Sequence, residues 1–165
     1  MNIMNAENYV SVNEARDKIG ELESFISKLP GAMFGDCFPL KHSFAKGLLV
    51  RQISVPKGYL IVSKIHKYSH AAFLLKGEIS IFGTEGVCRM KAPVSLITPA
   101  GTKRAVYHHE DTIFCTVHAT TETDIAEIEE EIIAKDFNEV DGSIDVEFVN
   151  NIYRHLEAEL KDENI

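Results

Sequence analysis

Seven histidines are the groups in this sequence best suited to chemistry: His42, His66, His70, His108, His109, His118 and His155. Imidazole is the commonest side-chain ligand of transition metals, and a site needs three or four donors that converge. His66 and His70 stand four residues apart, on a strand-to-loop run where that spacing alone does not put them on one side. His118 lies in a later β-rich run, with Phe114 and Thr116 on its side of the ladder. Three cations form a second group. Arg104, Lys64 and Arg51 could line a positive mouth for a carboxylate or phosphate, which a guanidinium pairs bidentately. The competing reading makes them outward charges at strand edges. Tyr107 and Tyr68 offer hydroxyls, with aromatic packing as the default. His108 and His109 are expected in an exposed loop; if the strand continues, His108 or Arg104 turns inward with Val106. For His42, donation to a backbone carbonyl near the mouth ranks above ligation. Glu78 falls on the polar face of its strand, away from a general-base position.

Other chemistries lack their motifs. There is no Ser-His-Asp ordering, P-loop or GxGxxG. Cys37, Cys88 and Cys115 are an odd, widely spaced set without a CxxC, which fits a reducing compartment. With no signal-peptide layout and no apolar run of membrane-spanning length, a cytoplasmic protein without a membrane partner is expected. The formal charge is −8, and the chain has no tryptophan, so neither a duplex nor a single-strand nucleic-acid surface is expected. The charge is uneven. Residues 120–165 hold fifteen acidic and three basic residues, whereas 38–119 hold eleven basic and four acidic. That contrast is either a set of solvated helix faces or a positive cavity for an anion.

Three zones would have to position these groups. Ser11 or Asn13 can cap a helix reaching about Leu29, with Ile19, Leu22, Phe25, Ile26 and Leu29 as one stripe. Pro30-Gly31 ends it. From about Phe38 to Ala119 come short β-rich runs: 48–55, 59–65, 73–82, 94–98, 105–108 and 112–118. Turn residues punctuate them, which means a sandwich or small barrel. A helix then starts near Thr121 or Thr123, striped by Ile125, Ile128, Ile132 and Ile133. A second runs from about Ile144 to Leu160, with Val149, Ile152, Tyr153, Leu156 and Leu160 in register. The division is an N-terminal helical extension (1–36), a β-barrel (37–120) and a C-terminal helical extension (121–165).

The middle zone resembles a cupin, the small jelly-roll barrel. The likeness lies in Lys64-Ile-His66-Lys-Tyr-Ser-His70, the following strand to Leu75-Lys-Gly77-Glu78, Gly83, and Pro99-Ala-Gly101-Thr-Lys-Arg104. Counted back from Gly77, His66 falls at the second histidine of the family's first motif, Lys64 at its first, and His70 at its glutamate. Arg104 stands where the second motif ends in a histidine ligand. The resemblance implies a mainly β fold with flanking helices: a cupin-type barrel with one N-terminal and two C-terminal helices. It also places His66 and His70 near the barrel's metal position, where strand order could add His118. Such a site would suit one divalent Zn, Fe, Ni or Mn ion. The cations at Lys64 and Arg104 speak instead for a barrel that simply binds a ligand.

Further segments, among them Cys37-Phe-Pro-Leu-Lys-His42, Ile53-Ser-Val-Pro56, and Thr116-Val-His118 with Glu122-Thr-Asp124, resemble small cupins often encoded by tailed phages. Three functions stay open. The first is a binding protein for a small anion, with Arg104, Lys64, Arg51 and Tyr107 as contacts. The second is a metal-dependent enzyme of dioxygenase or isomerase type. The third is a structural or virion-associated protein. The resemblance implies a homodimer.

Overall fold

The computed structural model describes residues 12–83 and 86–140. The expected cap at Ser11 and the expected helix from Ile144 to Leu160 lie outside the described residues. Helix α1 (Val12–Ile26) is three residues shorter than the stripe suggests. Its continuation is a pair of tight turns, Lys28 N–H to Phe25 O and Leu29 N–H to Ile26 O. Ala15 and Ile19 are its fully buried positions.

Eleven strands follow among the described residues: β1 (Leu40–Ala45), β2 (Leu48–Val55), β3 (Leu60–Val62), β4 (Ile65–His66), β5 (His70–Lys76), β6 (Glu78–Gly83), β7 (Gly86–Lys91), β8 (Val94–Thr98), β9 (Ala105–His108), β10 (Thr112–Ala119) and β11 (Ile133–Ala134). Helix α2 (Ile125–Ile132) separates the last two. Three of the expected runs, 48–55, 94–98 and 105–108, are strands with those bounds. The run 73–82 is divided. Gly77 takes φ +89°, and a Cβ there would stand 2.6 Å from the Asp111 carbonyl oxygen. Only glycine turns so tightly at no steric cost, so β5 and β6 part there into different sheets. The run 59–65 is likewise divided, into β3 and β4.

The sheets are antiparallel, in the orders β1-β2-β10-β5-β8 and β3-β9-β6-β7, with β4 and β11 as a separate pair. The protein is therefore mainly β, in keeping with a jelly roll. Leu74 of the first sheet packs with Ile79 and Ile81 of the second, and Met90, Val94, Val106 and Phe114 join them. This cluster fixes the inward face. On β5, β8 and β10 the even positions turn in, and the odd ones turn out.

Helix α2 starts at Asp124, not at Thr121 or Thr123. The Asp124 carboxylate accepts from the backbone N–H groups of Ala126 and Glu127. The isoleucine stripe behaves as expected: Ile128 and Ile132 bury against Leu49, flanked by Ile125 and Ile133. Leu49 lies on the inward side of β2, so α2 closes one end of the barrel.

Candidate metal centre

His70 and His118 both occupy inward positions of the five-stranded sheet. His70 opens β5 opposite Thr98, and His118 lies opposite Leu49 near the end of β10. His66 comes from outside that sheet. It pairs with Ile133 on β11, its carbonyl accepts from Gly101 N–H, and the next amide, Lys67 N–H, donates to Ile132 O. The end of α2 and the turn after β8 thus hold His66 over the other two.

The three rings form a triangle, with centroids 4.4 Å (His66–His70), 4.5 Å (His70–His118) and 5.5 Å (His66–His118) apart. One ring nitrogen from each lies within 4.8 Å of the others. Small side-chain rotations reach the roughly 3.3 Å between donors that tetrahedral coordination at about 2.0 Å requires. Burial, then the neighbouring rings and guanidiniums, pushes His66 down to about 3. Burial, then His70 and Arg51, pushes His118 to about 4. His70 is also lowered, by burial first, against a hydrogen bond that raises it. All three are therefore neutral at pH 7, the form that ligates metal.

Their outer partners matter too. His70 Nδ1–H donates to the Tyr68 carbonyl at 3.3 Å, which leaves Nε2 as its lone-pair nitrogen. Thr116 Oγ1 lies 2.9 Å from His118 Nε2. The donor set of three neutral imidazoles, His70 and His118 buried and His66 half-buried, fits a divalent transition ion.

The expected cations are distributed unevenly. Arg51 is directly across the ladder from Thr116, on the inward side of β2, and pairs with Asp36 at 2.9 Å. Arg104 donates to Thr98 Oγ1 at 3.1 Å, and its charge is felt by both His66 and His70. These two guanidiniums flank the histidines. Lys64 points to the rim, where it pairs with Glu129 of α2 at 2.7 Å and approaches Asp36 at 4.0 Å. Tyr107 is on the outward face of the second sheet, edge-on to His109, and is not brought to the histidines.

A cavity of about 20 Å³, enough for one water molecule, lies between the histidines and α2. His42, Arg51, His66, His118, Glu129 and several isoleucines line it. His42 is brought there by β1, which sets it opposite Arg51. Glu129 and Asp36 are residues the sequence reading missed. Nothing in an exposed-looking acidic helix or a Gly-Asp turn marks them. The expected exposure of His108 is corrected: it is 4% exposed. β9 continues through it and turns it inward, where Nδ1–H donates to Thr112 Oγ1 at 2.7 Å. Glu78 pairs with Arg89 and Lys91 on the sheet surface, as its alternation required.

No helix among the described residues is long and apolar enough to cross a membrane. No protein-family model matches the chain, and no curated protein matches it. Solved structures do. A cupin-2 domain protein from Shewanella frigidimarina is 9% identical, over 61% of this chain and 91% of its own, at TM-score 0.43. The Cnp3 cupin domain of Schizosaccharomyces pombe is 19% identical, over 63% and 77%, at TM-score 0.45. A cupin superfamily protein from Desulfitobacterium hafniense is 11% identical, over 57% and 85%, at TM-score 0.44. These three structural neighbours are cupin proteins.

Proposed function

We propose that this chain is a small cupin-type binding protein that holds one divalent metal ion on His66, His70 and His118 and takes a small anion beside it. The observation that carries the reading is the convergence of three neutral imidazoles within 4.8 Å. The anion follows from charge. Three neutral ligands leave a bound dication uncompensated, and Arg51 and Arg104 add positive charge around it. A carboxylate or phosphate would offset both. Without a metal, the same polar groups still form an anion subsite. What supports the finer readings of a tailed-phage accessory protein and a homodimer is the sequence likeness alone, and what supports a cytoplasmic setting is the odd, widely spaced cysteine set and the absence of a signal-peptide layout in the sequence.

A second reading has its own support. Three protein ligands leave coordination positions open, the usual design of a catalytic rather than a structural metal site. A metal-dependent enzyme of dioxygenase or isomerase type is consistent with that. Elemental analysis of protein purified without chelator tests the common premise. Close to one equivalent in the wild type and less than about a tenth in His66→Ala is expected. Equal, trace metal in both would overturn it.

A further inference from the structure

The outward face of the four-stranded sheet carries a group of side chains that the metal site does not use. Period two turns Glu78 and Ser80 of β6, Arg89 and Lys91 of β7, and Tyr107 of β9 to that side. Ser80 is the centre of one row, with Tyr107 across the ladder on one flank and Arg89 on the other. Leu60 of β3 continues the row beyond Tyr107. His109 follows β9 onto the same face. Its backbone N–H donates to the Glu78 carbonyl at 2.9 Å, and its ring lies edge-on to Tyr107, with centroids 4.9 Å apart. There its Nε2 stands 2.7 Å from Ser80 Oγ. Helix α1 meets this sheet at the other end of β9, where Glu23 pairs with Lys103. Tyr107 is 41% exposed and Leu60 38%, so the row is open to solvent beside Ser80.

We propose that Ser80 and His109 form a nucleophilic pair, separate from the histidine triangle, that accepts an acyl group from an activated aryl ester. Three features carry this. The first is distance. A hydroxyl becomes a useful nucleophile when a base within about 2.6–3.2 Å takes its proton. The tautomer with its proton on Nδ1 leaves Nε2 to do so. The second is orientation. Such a base must be held by a further group, and the Glu78 carbonyl and the Tyr107 ring fix His109 from two sides. The third is charge. The hydrogen bond from Arg89 holds the Glu78 carboxyl below its usual range, so it is ionised at pH 7. A carboxylate beside His109 favours the imidazolium that proton transfer creates. Arg89, opposite Ser80, puts positive charge beside the position where an oxyanion develops. The exposed rings and methyls of Tyr107 and Leu60 offer the aryl group an apolar shelf. In the reaction, Ser80 Oγ bonds to the ester carbonyl carbon as its proton passes to His109 Nε2. The bond from that carbon to the aryl oxygen then breaks, and the oxygen leaves with the proton from His109. The products are O-acylated Ser80 and a phenol.

Incubation of the full chain with p-nitrophenyl acetate tests this, with peptide mass mapping to locate the acetyl group. The wild type is expected to carry acetyl on Ser80 ahead of any other serine or threonine. His109→Gln keeps a hydrogen-bonding side chain beside Ser80 but cannot take its proton. It should slow acetylation of Ser80 by about 100-fold or more. A wild type without acetyl on Ser80 overturns the proposal. So does an equal rate in His109→Gln, which would make the pair a structural hydrogen bond only. The wild type alone can give the overturning result, so the test survives a variant that fails to fold. None of these outcomes depends on the metal site.

Discussion

The imidazoles of His66 and His118 lie face to face, with centroids 5.5 Å apart and planes 11° from parallel. Among the described residues no ladder joins their strands: β4 pairs with β11, while β10 sits between β2 and β5. The alignment is therefore made by tertiary structure. The β4–β11 pair, the end of α2 and the turn at Gly101 deliver His66 to a position that β10 and β5 have already furnished with His118 and His70. Removing a ligand tests chemistry, whereas loosening the frame tests positioning.

Thr116 is the positioning residue best placed for such a test. Its hydroxyl is 2.9 Å from His118 Nε2, and it does not itself join the histidine triangle. Thr116→Val keeps the volume and removes the hydrogen bond. Outer-sphere partners of metal ligands typically contribute about 10- to 100-fold in affinity. Isothermal titration with zinc should show a loss in that range for Thr116→Val and no detectable binding for His118→Ala. Wild-type affinity in Thr116→Val would show that the barrel alone orients the ring.

Acid should destabilise the metal-free protein well before its carboxylates titrate. His66, His108 and His118 sit at about 3, about 4 and about 4, below their ordinary 6.5, mainly because they are buried. Between the folded and unfolded values the unfolded chain binds protons that the folded chain does not. Stability therefore rises with pH through that window, and it is lost as pH falls from about 6.5 toward about 4. Urea midpoints should be level from pH 7.5 to 8.5 and decline steadily below 6.5. A midpoint flat from pH 7 to 5 would show that these rings are solvated.

Parts of this site are legible in sequence and parts are not. Period two on β10 puts His118 beside Thr116 and Phe114, as the structure has them. The isoleucine stripe of α2 reads correctly because every fourth residue must meet Leu49. His66 needed more than periodicity, because a two-residue strand carries no repeat; the cupin likeness supplied it. β1 escaped notice because only Leu40 and His42 are partly buried in it, so no apolar alternation shows. Glu129 and Asp36 were invisible for a different reason. Their role depends on pairing with Lys64 and Arg51 across sequence separations that no local pattern records. A turn at Gly77 is legible from its glycine, but that the turn parts two sheets depends on the Asp111 carbonyl, which is close only in the folded chain.

That carbonyl makes Gly77 a sensitive position. Gly77→Ala combines a left-handed φ with a Cβ at 2.6 Å from Asp111 O and 2.8 Å from the Thr112 methyl. The backbone conformation alone costs a non-glycine residue about 1–3 kcal/mol, and the contact with fixed backbone adds to it. Chemical denaturation should show a loss at the top of that range or beyond. Gly47→Ala, with φ +80° and open space around the Cβ, should show the conformational cost alone.

The rim carboxylates compete for the cations that a ligand would use. Glu129 pairs with Lys64 at 2.7 Å, both partners more than a third exposed. Such a pair is worth about 0–1 kcal/mol in stability, so Glu129→Gln should leave the melting temperature nearly unchanged. Its effect on anions should be larger than its effect on folding. It removes a negative charge from the cavity wall shared with Arg51, His66 and His118, and it frees Lys64 to swing inward. Phosphate affinity measured by titration calorimetry should therefore rise several-fold, and the gain should shrink as sodium chloride is raised, because exposed charges are screened. Linkage adds a reciprocal requirement. If metal and anion occupy one site with opposite charges, each must tighten the other by the same factor. Saturating zinc should strengthen phosphate binding, and phosphate should strengthen zinc binding equally. Independent affinities would separate the two ligands and place the anion away from the three histidines.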